Sequence, residues 1–263
     1  MGLRILSLYS GSSGNAFAIC APSGTLLIDA GKNAKHLNAA LTEGGVDPTR
    51  IGAILLTHEH SDHVSALAVW IKKHPIPIHL PTACLPRFAV ETSVEPYLCP
   101  HPPIWTQEIC GMTVTSFPTP HDSRGSVGYR IEIPTAQGVF RLGYATDLGC
   151  VTPEVEQGLF GCDAVILESN HDPEMLQTGP YPYELKRRIA SRRGHLSNPD
   201  SACLASRLCA SGTRYLLLAH LSRENNTPDI AFDECFGAVG DDGVCIRVAH
   251  PDAITVLFEE EDA

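Results

Sequence analysis

An unbroken apolar run, Ile51–Leu56, stops abruptly at Thr57-His58-Glu59-His60-Ser61-Asp62-His63. A short apolar run without polar interruption is the pattern of a strand buried on both faces. The segment after it sets His58, His60, Asp62 and His63 at the point where the strand leaves its sheet. A turn there can aim all four side chains inward, and imidazole with carboxylate is a donor set for zinc, manganese or iron. Any fold for this chain must therefore bury the strand and open its C-terminal end onto a pocket.

The remaining pattern suits such a fold. Leu3–Tyr9, Ala16–Cys20 and Thr25–Asp29 read as strands separated by Gly/Ser and Pro-Ser-Gly turns. Helices are predicted at Asn33–Glu43 and Ser65–His74, and the stretch from Ile76 to Ile109 is rich in Pro and short elements. Met112–Phe117, Ser126–Ile133 and Val139–Thr146 are strand-like, and Ala164–Glu168 and Tyr215–Ala219 are buried-type strands. Further helices are predicted at Tyr183–Ser191, Pro199–Cys209 and Pro228–Phe236. Cys245–Val248 and Ala253–Phe258 close the pattern as strands, before an acidic tail at about 259–263 that is expected to be solvated. Without a linker or repeat, residues 1–263 are expected to form one α/β (α+β) domain, two packed sheets with helices outside.

Composition narrows the function classes. The 263 residues carry a net charge of −11, which opposes a general nucleic-acid coat protein but leaves room for a local basic site. The first residues are not expected to be a signal peptide, and no apolar stretch approaches the roughly 18 residues needed to span a membrane. None of the 10 cysteines forms a C-x-x-C pair. They are read as mostly buried reduced thiols in a cytoplasmic protein.

The Thr57–His63 segment resembles the T-H-x-H-x-D-H phrase of the metallo-β-lactamase superfamily, and the rest of that pattern can be followed along the chain. Asp29 matches the early Asp that supports the His loop. His121 follows Phe117-Pro118-Thr119-Pro120, Asp147 follows Gly143-Tyr144-Ala145-Thr146, and His220 follows Leu216-Leu217-Leu218-Ala219. The resemblance implies a four-layer αββα sandwich holding two divalent ions (zinc, manganese or iron). One ion would be held by His58, His60 and His121, the other by Asp62, His63 and His220, with Asp147 bridging. Asp29, Thr57 and Glu168 would support the ligands. Catalysis would rest on Asp62, Asp147 and His195.

Two further segments point to phosphodiesters. Lys186, Arg187, Arg188, Arg192 and Arg193 concentrate five of the 19 basic residues, a local anion-attracting patch. The adjacent Gly194-His195-Leu196-Ser197 is similar to the Gly-His-Ser/Thr loop of tRNase Z-like phosphodiesterases, and Glu168-Ser169-Asn170-His171 sits in the slot of their acidic loop. Asn170 and His171 join the basic residues as candidate substrate contacts. Ser10-Gly11-Ser12-Ser13-Gly14-Asn15 and His220-Leu221-Ser222-Arg223-Glu224-Asn225-Asn226 resemble phrases of the YycJ (WalJ)-type group. That resemblance implies a 5′-to-3′ exodeoxyribonuclease with DNA as partner, acting through a metal-bound hydroxide. Taken alone, Gly11–Gly14 reads as a tight turn. The alternative function is a small-molecule hydrolase of the same fold, acting on a cyclic phosphodiester, lactone or thioester.

Overall fold

The computed structural model of the protein describes residues 2–240 and 243–260. The first of two seven-stranded sheets contains β1 (Arg4–Tyr9), β2 (Ala16–Ala21), β3 (Gly24–Ile28), β4 (Ile51–Leu55), β5 (Ile78–Pro81), β6 (Leu98–His101) and, from the far end of the chain, β14 (Thr255–Glu259). Its spatial order is β14-β1-β2-β3-β4-β5-β6. The second contains β7 (Thr106–Ile109), β8 (Met112–Pro118), β9 (Val127–Thr135), β10 (Gly138–Ala145), β11 (Ala164–Glu168), β12 (Tyr215–Ala219) and β13 (Cys245–Val248), in the order β13-β12-β11-β10-β9-β8-β7. Strands β3 to β6 are parallel, as are β10 to β13.

Period-two alternation sorts the apolar side chains into three layers. Ile5, Leu26, Ile28 and Leu55 meet Tyr129, Ile131, Tyr144 and Leu217 between the sheets. Leu6, Leu8, Leu27 and Ile54 face the other way, onto Leu37 and Leu41 of α1 (Ala34–Glu43) and Trp70 of α3 (Leu67–Trp70). On the second sheet, Val165, Leu167, Leu216 and Leu218 pack on α4 (Pro153–Leu159), α7 (Asn198–Ala210) and α8 (Pro228–Val239). The result is the expected αββα order. Helix starts follow side-chain caps: Asn33, Thr152, Ser197 and Thr227 each accept a bond from a first-turn amide.

Four expectations need correction. Within the predicted Ser65–His74 only the single turn α3 forms, and another single turn, α2 (Ser61–Val64), precedes it. The ladder breaks because the Asp62 carbonyl accepts from Asn15 N and the Ala66 amide donates to Ala30 O, so neither serves the other. Glu259 lies in β14 rather than in a frayed tail, and Glu260 N donates to Leu3 O. Residues 261–263 of that tail lie outside the described residues. Short helices α4 and α5 (Pro173–Thr178) have no counterpart in the sequence reading. Finally, Cys20, Cys84, Cys162, Cys209 and Cys235 are buried, but Cys203 is exposed and Cys99, Cys110, Cys150 and Cys245 are half-buried.

An imidazole stack joins the edges of the two sheets. His79 on β5 contacts His101 on β6 through Nδ1···Nε2 at 2.8 Å, and Trp105, just before β7, stacks on His101 with centroids 4.1 Å apart. Burial, and secondarily the His101 charge, push the His79 imidazole down to about 4. The unfolded chain takes up that proton below about pH 6.5 while the folded chain resists it. Stability should therefore fall as pH drops from 6.5 towards 4. Denaturant midpoints across that range should show the slope in the wild type and a shallower one in His79→Phe. Equal slopes would remove His79 as its source.

Candidate metal centre

The donor residues emerge from the C-terminal ends of strands along one edge of the two sheets. Asp29 follows β3, Thr57–His63 follow β4, His121 follows β8, Asp147 follows β10 and His220 follows β12, while Glu168 ends β11. Asp29, Asp147 and His220 adopt left-handed backbone conformations, with φ of 62°, 55° and 57°. Such conformations cost a non-glycine residue about 1 kcal/mol or more and collect at functional sites.

Two buried carboxylates orient the imidazoles. Asp29 accepts from the Thr57 amide at 2.9 Å and from the Thr57 hydroxyl, and its Oδ2 lies 2.7 Å from His63 Nδ1. The Thr57 hydroxyl also lies 3.0 Å from His58 Nδ1. On the second sheet, Glu168 Oε1 lies 2.8 Å from His195 Nδ1 and 3.0 Å from His220 Nδ1. Its Oε2 accepts from Leu148 N and Leu196 N. His121 Nδ1 donates to the Gly194 carbonyl at 3.0 Å. With Nδ1 engaged in each case, the Nε2 lone pairs of His63, His121 and His220 are left for the interior.

Those lone pairs converge with the carboxylates. His58, His60 and His121 form one group of mutually close donors, and Asp62, His63 and His220 form another. Asp147 joins His58 and His63 in a third. His63 Nε2 is 3.3 Å from Asp62 Oδ2 and 3.2 Å from Asp147 Oδ2. His220 Nε2 is 3.5 Å from Asp62 Oδ2 and 3.6 Å from Asp147 Oδ1. Glu168 also lies close to Asp147, His195 and His220. Its oxygens already receive two amide bonds and two imidazoles, which makes it a support for ligands rather than a ligand.

The donor set fits a divalent cation. His58 Nε2 and Asp147 Oδ2 are buried without a hydrogen-bond partner among the described residues, the latter because its approach to His63 lacks hydrogen-bond geometry. His121 Nε2 and His60 Nδ1 lie 3.3 Å apart, two ring nitrogens close enough to share a proton or to ligate one cation. Electrostatics agree. Burial would raise the Asp62 carboxyl, but the His63 charge and bonds from His220 and His63 outweigh it and hold it below its ordinary range. Burial opposes a charged His220, yet the Asp147 charge and the Asp62 and Glu168 bonds push its imidazole up to about 10. The cluster attracts positive charge, and protons and metal ions compete for it.

The sequence pattern does not reveal the role of the Ser10–Asn15 turn. Ser10 Oγ accepts from the His220 amide at 2.9 Å. Asn15 Oδ1 holds Ser10 and Gly11, while its Nδ2 stands 3.2 Å from His63 Nε2 and 3.4 Å from Asp62 Oδ2. The Gly-Ser run marked a turn, but only its long-range partners connect it to the centre.

The basic run divides. Arg193 donates to the His121 carbonyl at 3.0 and 2.8 Å, clamping the His121 loop. Arg188 pairs with Asp122 and, with Ser12, Asn170 and His195, lines a pocket of 180 Å³ that meets the centre at His195. Asn170 Nδ2 donates to the His220 carbonyl at 2.8 Å. Arg192 is exposed. Lys186, Arg187 and His171 instead line a separate cavity, on the other face of α6 (Tyr183–Ile189).

A sequence model of the beta-lactamase superfamily domain matches residues 25–221. Over 235 residues the chain is 32% identical to the exodeoxyribonuclease YycJ of Bacillus anthracis, covering 88% of this chain and 87% of that protein. The exodeoxyribonuclease WalJ of Streptococcus pneumoniae serotype 2 (strain D39) is also 32% identical over 88% of this chain and 86% of its own length. The metallo-beta-lactamase fold protein YhfI of Bacillus subtilis superposes with a TM-score of 0.71 over 96% of this chain and 99% of that one. At 17% identity this is a likeness of fold alone.

If Asp29 sets the His63 tautomer, Asp29→Asn should weaken zinc binding about 10- to 100-fold in competition with a chromophoric chelator. Gly31→Ala should weaken it too without touching a donor atom, because its Cβ would collide with the Asp62 carbonyl and the Asn15 amide. Wild-type affinity in both variants would dissociate this framework from metal binding.

Proposed function

The chain belongs to the beta-lactamase superfamily domain family, as a YycJ-type member with the metallo-β-lactamase fold, and from this we propose that it is a metal-dependent 5′-to-3′ exodeoxyribonuclease. The observation that carries the reading is the position of His195. Its Nδ1 is fixed by Glu168 and lies 3.8 Å from Asp147 Oδ1, while its side chain, 20% exposed, reaches the pocket that Arg188 and Asn170 also line. An imidazole beside a buried donor cluster, with a guanidinium nearby, suits a phosphodiester whose oxygens need hydrogen bonds and whose leaving oxygen needs a proton.

We assign His58, His60 and His121 to one divalent ion, Asp62, His63 and His220 to a second, and Asp147 to both. When bound, such ions supply a water activated at neutral pH and positive charge against the phosphoryl oxygens. The protein's residues do the rest. Burial disfavours a charged His195, but the Glu168 carboxylate and its bond outweigh this and raise the imidazole above its ordinary value. His195 thereby holds a proton on the ring to give to the leaving oxygen. Arg188 and Asn170 orient the phosphate, and Arg193 keeps the His121 loop in place.

The pocket beside His195 holds 180 Å³, and a second cavity of 570 Å³, lined by His121 and Arg193, adjoins the donor cluster from the His121 side. A polymer end can enter from such open surface while the rest of the strand stays outside. We take residues 1–263 as one hydrolase domain with DNA as its partner. Among the described residues no helix is long and apolar enough to cross a membrane. We assign the protein to the cytoplasm, where thiols such as buried Cys20 and Cys162 stay reduced.

With manganese or zinc, 5′-labelled duplex DNA should lose its label first. Chelation should stop this, and Asp147→Ala should abolish it. His195→Ala should lower kcat about 10²- to 10⁴-fold. Retention of wild-type rates by both variants, or label release only after extensive digestion, would overturn the assignment.

A further inference from the structure

Helix α6 has two different faces. Leu185, Arg188 and Ile189 border the pocket that contains His195. Tyr183, Lys186, Arg187 and Ala190 line a second cavity, of 490 Å³, whose far wall comes from His171 and from α5. The spacing 183, 186, 187, 190 puts those four side chains on one helical stripe. We propose that this second cavity is a nucleotide-binding subsite for the DNA strand, with Tyr183 as the platform for a base and Lys186 and Arg187 as partners for its phosphates. The proposal rests on the exodeoxyribonuclease reading above.

Several observations support it independently of the metal centre. The volume lies within the range of small-ligand sites. Tyr183 is 71% exposed, an unusually open position for an aromatic ring beside a cavity. The Arg187 guanidinium lies 5.7 Å from that ring's centroid, which steadies one side and leaves ring surface for a base. The Arg187 ion pair with Glu184 is long, at 3.7 Å, and both side chains are exposed, so it competes weakly with a phosphate. Lys186 Nζ donates one bond, to the Gln177 carbonyl at 2.7 Å, and retains two further donors.

His171 borders the cavity and is only 3% exposed. Its Nδ1 is closed off from solvent, so the ring walls the cavity rather than offering it a hydrogen bond. The backbone connects this place to the chemistry. Glu168 and Asn170 hold His195 and His220, and His171, next in the chain, faces the cavity while bridging to Ser197. A strand with its terminal phosphate at His195 and its following nucleotides laid across α6 would seat one of them here. In a chain of net charge −11, a cavity flanked by Lys186 and Arg187 is complementary to that strand.

The test measures KM and kcat of the metal-loaded enzyme on a 3′-labelled, 12-nucleotide single strand. Tyr183→Ala should raise KM about tenfold and hold kcat within about twofold, the signature of lost uniform binding. Tyr183→Phe, which keeps the ring, should retain the wild-type KM. Lys186→Ala/Arg187→Ala should make the dependence of log KM on log salt shallower by about 1.4, two phosphate contacts on a single strand. A Tyr183→Ala KM within twofold of wild type, or equal damage in Tyr183→Phe, would overturn the proposal. It would also fall if Tyr183→Ala lost only its inhibition by thymidine 5′-monophosphate, since the cavity would then serve free product. If the wild type degrades no DNA with any metal, both readings fail. If it degrades DNA and the variants match it, only the subsite fails.

Discussion

The Asp29 carboxylate is the tie on which the centre is built. It is fully buried at the end of β3 and spends both oxygens on the loop that follows β4. Burial raises its pKa more than the His63 charge and the Thr57 and His63 bonds lower it. Keeping a charge there is therefore expensive, and positive charge drawn to the far side of His63 offsets the cost. Glu168 plays the matching part on the second sheet with the opposite balance. Burial opposes its charge too, but His195, His220 and their bonds hold the carboxyl down to about 2. Each sheet thus contributes one carboxylate that sets two imidazoles, Asp29 reaching His58 only through the Thr57 hydroxyl, and the donor cluster forms where the two systems meet.

The loop architecture follows from backbone bonds more than from helix propensity. Asn15 N takes the Asp62 carbonyl, Ala30 N takes the His63 carbonyl, and Ala30 O takes the Ala66 amide. These three bonds stop a helix that Ser61–Trp70 would otherwise continue. They hold Asp62 and His63 on a rigid single turn rather than on a flexible loop.

Local pattern made the framework legible. Ile51–Leu56, Ala164–Glu168 and Tyr215–Ala219 read directly as buried strands, and a donor residue at the end of a strand is a local feature. What depended on distant partners did not show. Glu259 belongs to a strand because β1, at the opposite end of the chain, pairs with it. Arg193 looks like any surface cation until the His121 carbonyl lies beneath it. The run from Lys186 to Arg193 reads as one patch in sequence, yet α6 turns its members towards different cavities. Helical phase is local, but which face meets the metal centre is set by packing.

The left-handed residues have a consequence for how the protein can change. Glycine is the side chain best suited to the backbone of Asp29, Asp147 and His220, and it carries no donor atom. At these positions the substitution that most relaxes the chain also dismantles the centre. Selection for thermal persistence alone would drift towards a more durable but inert protein, whereas selection for turnover holds these three positions in tension.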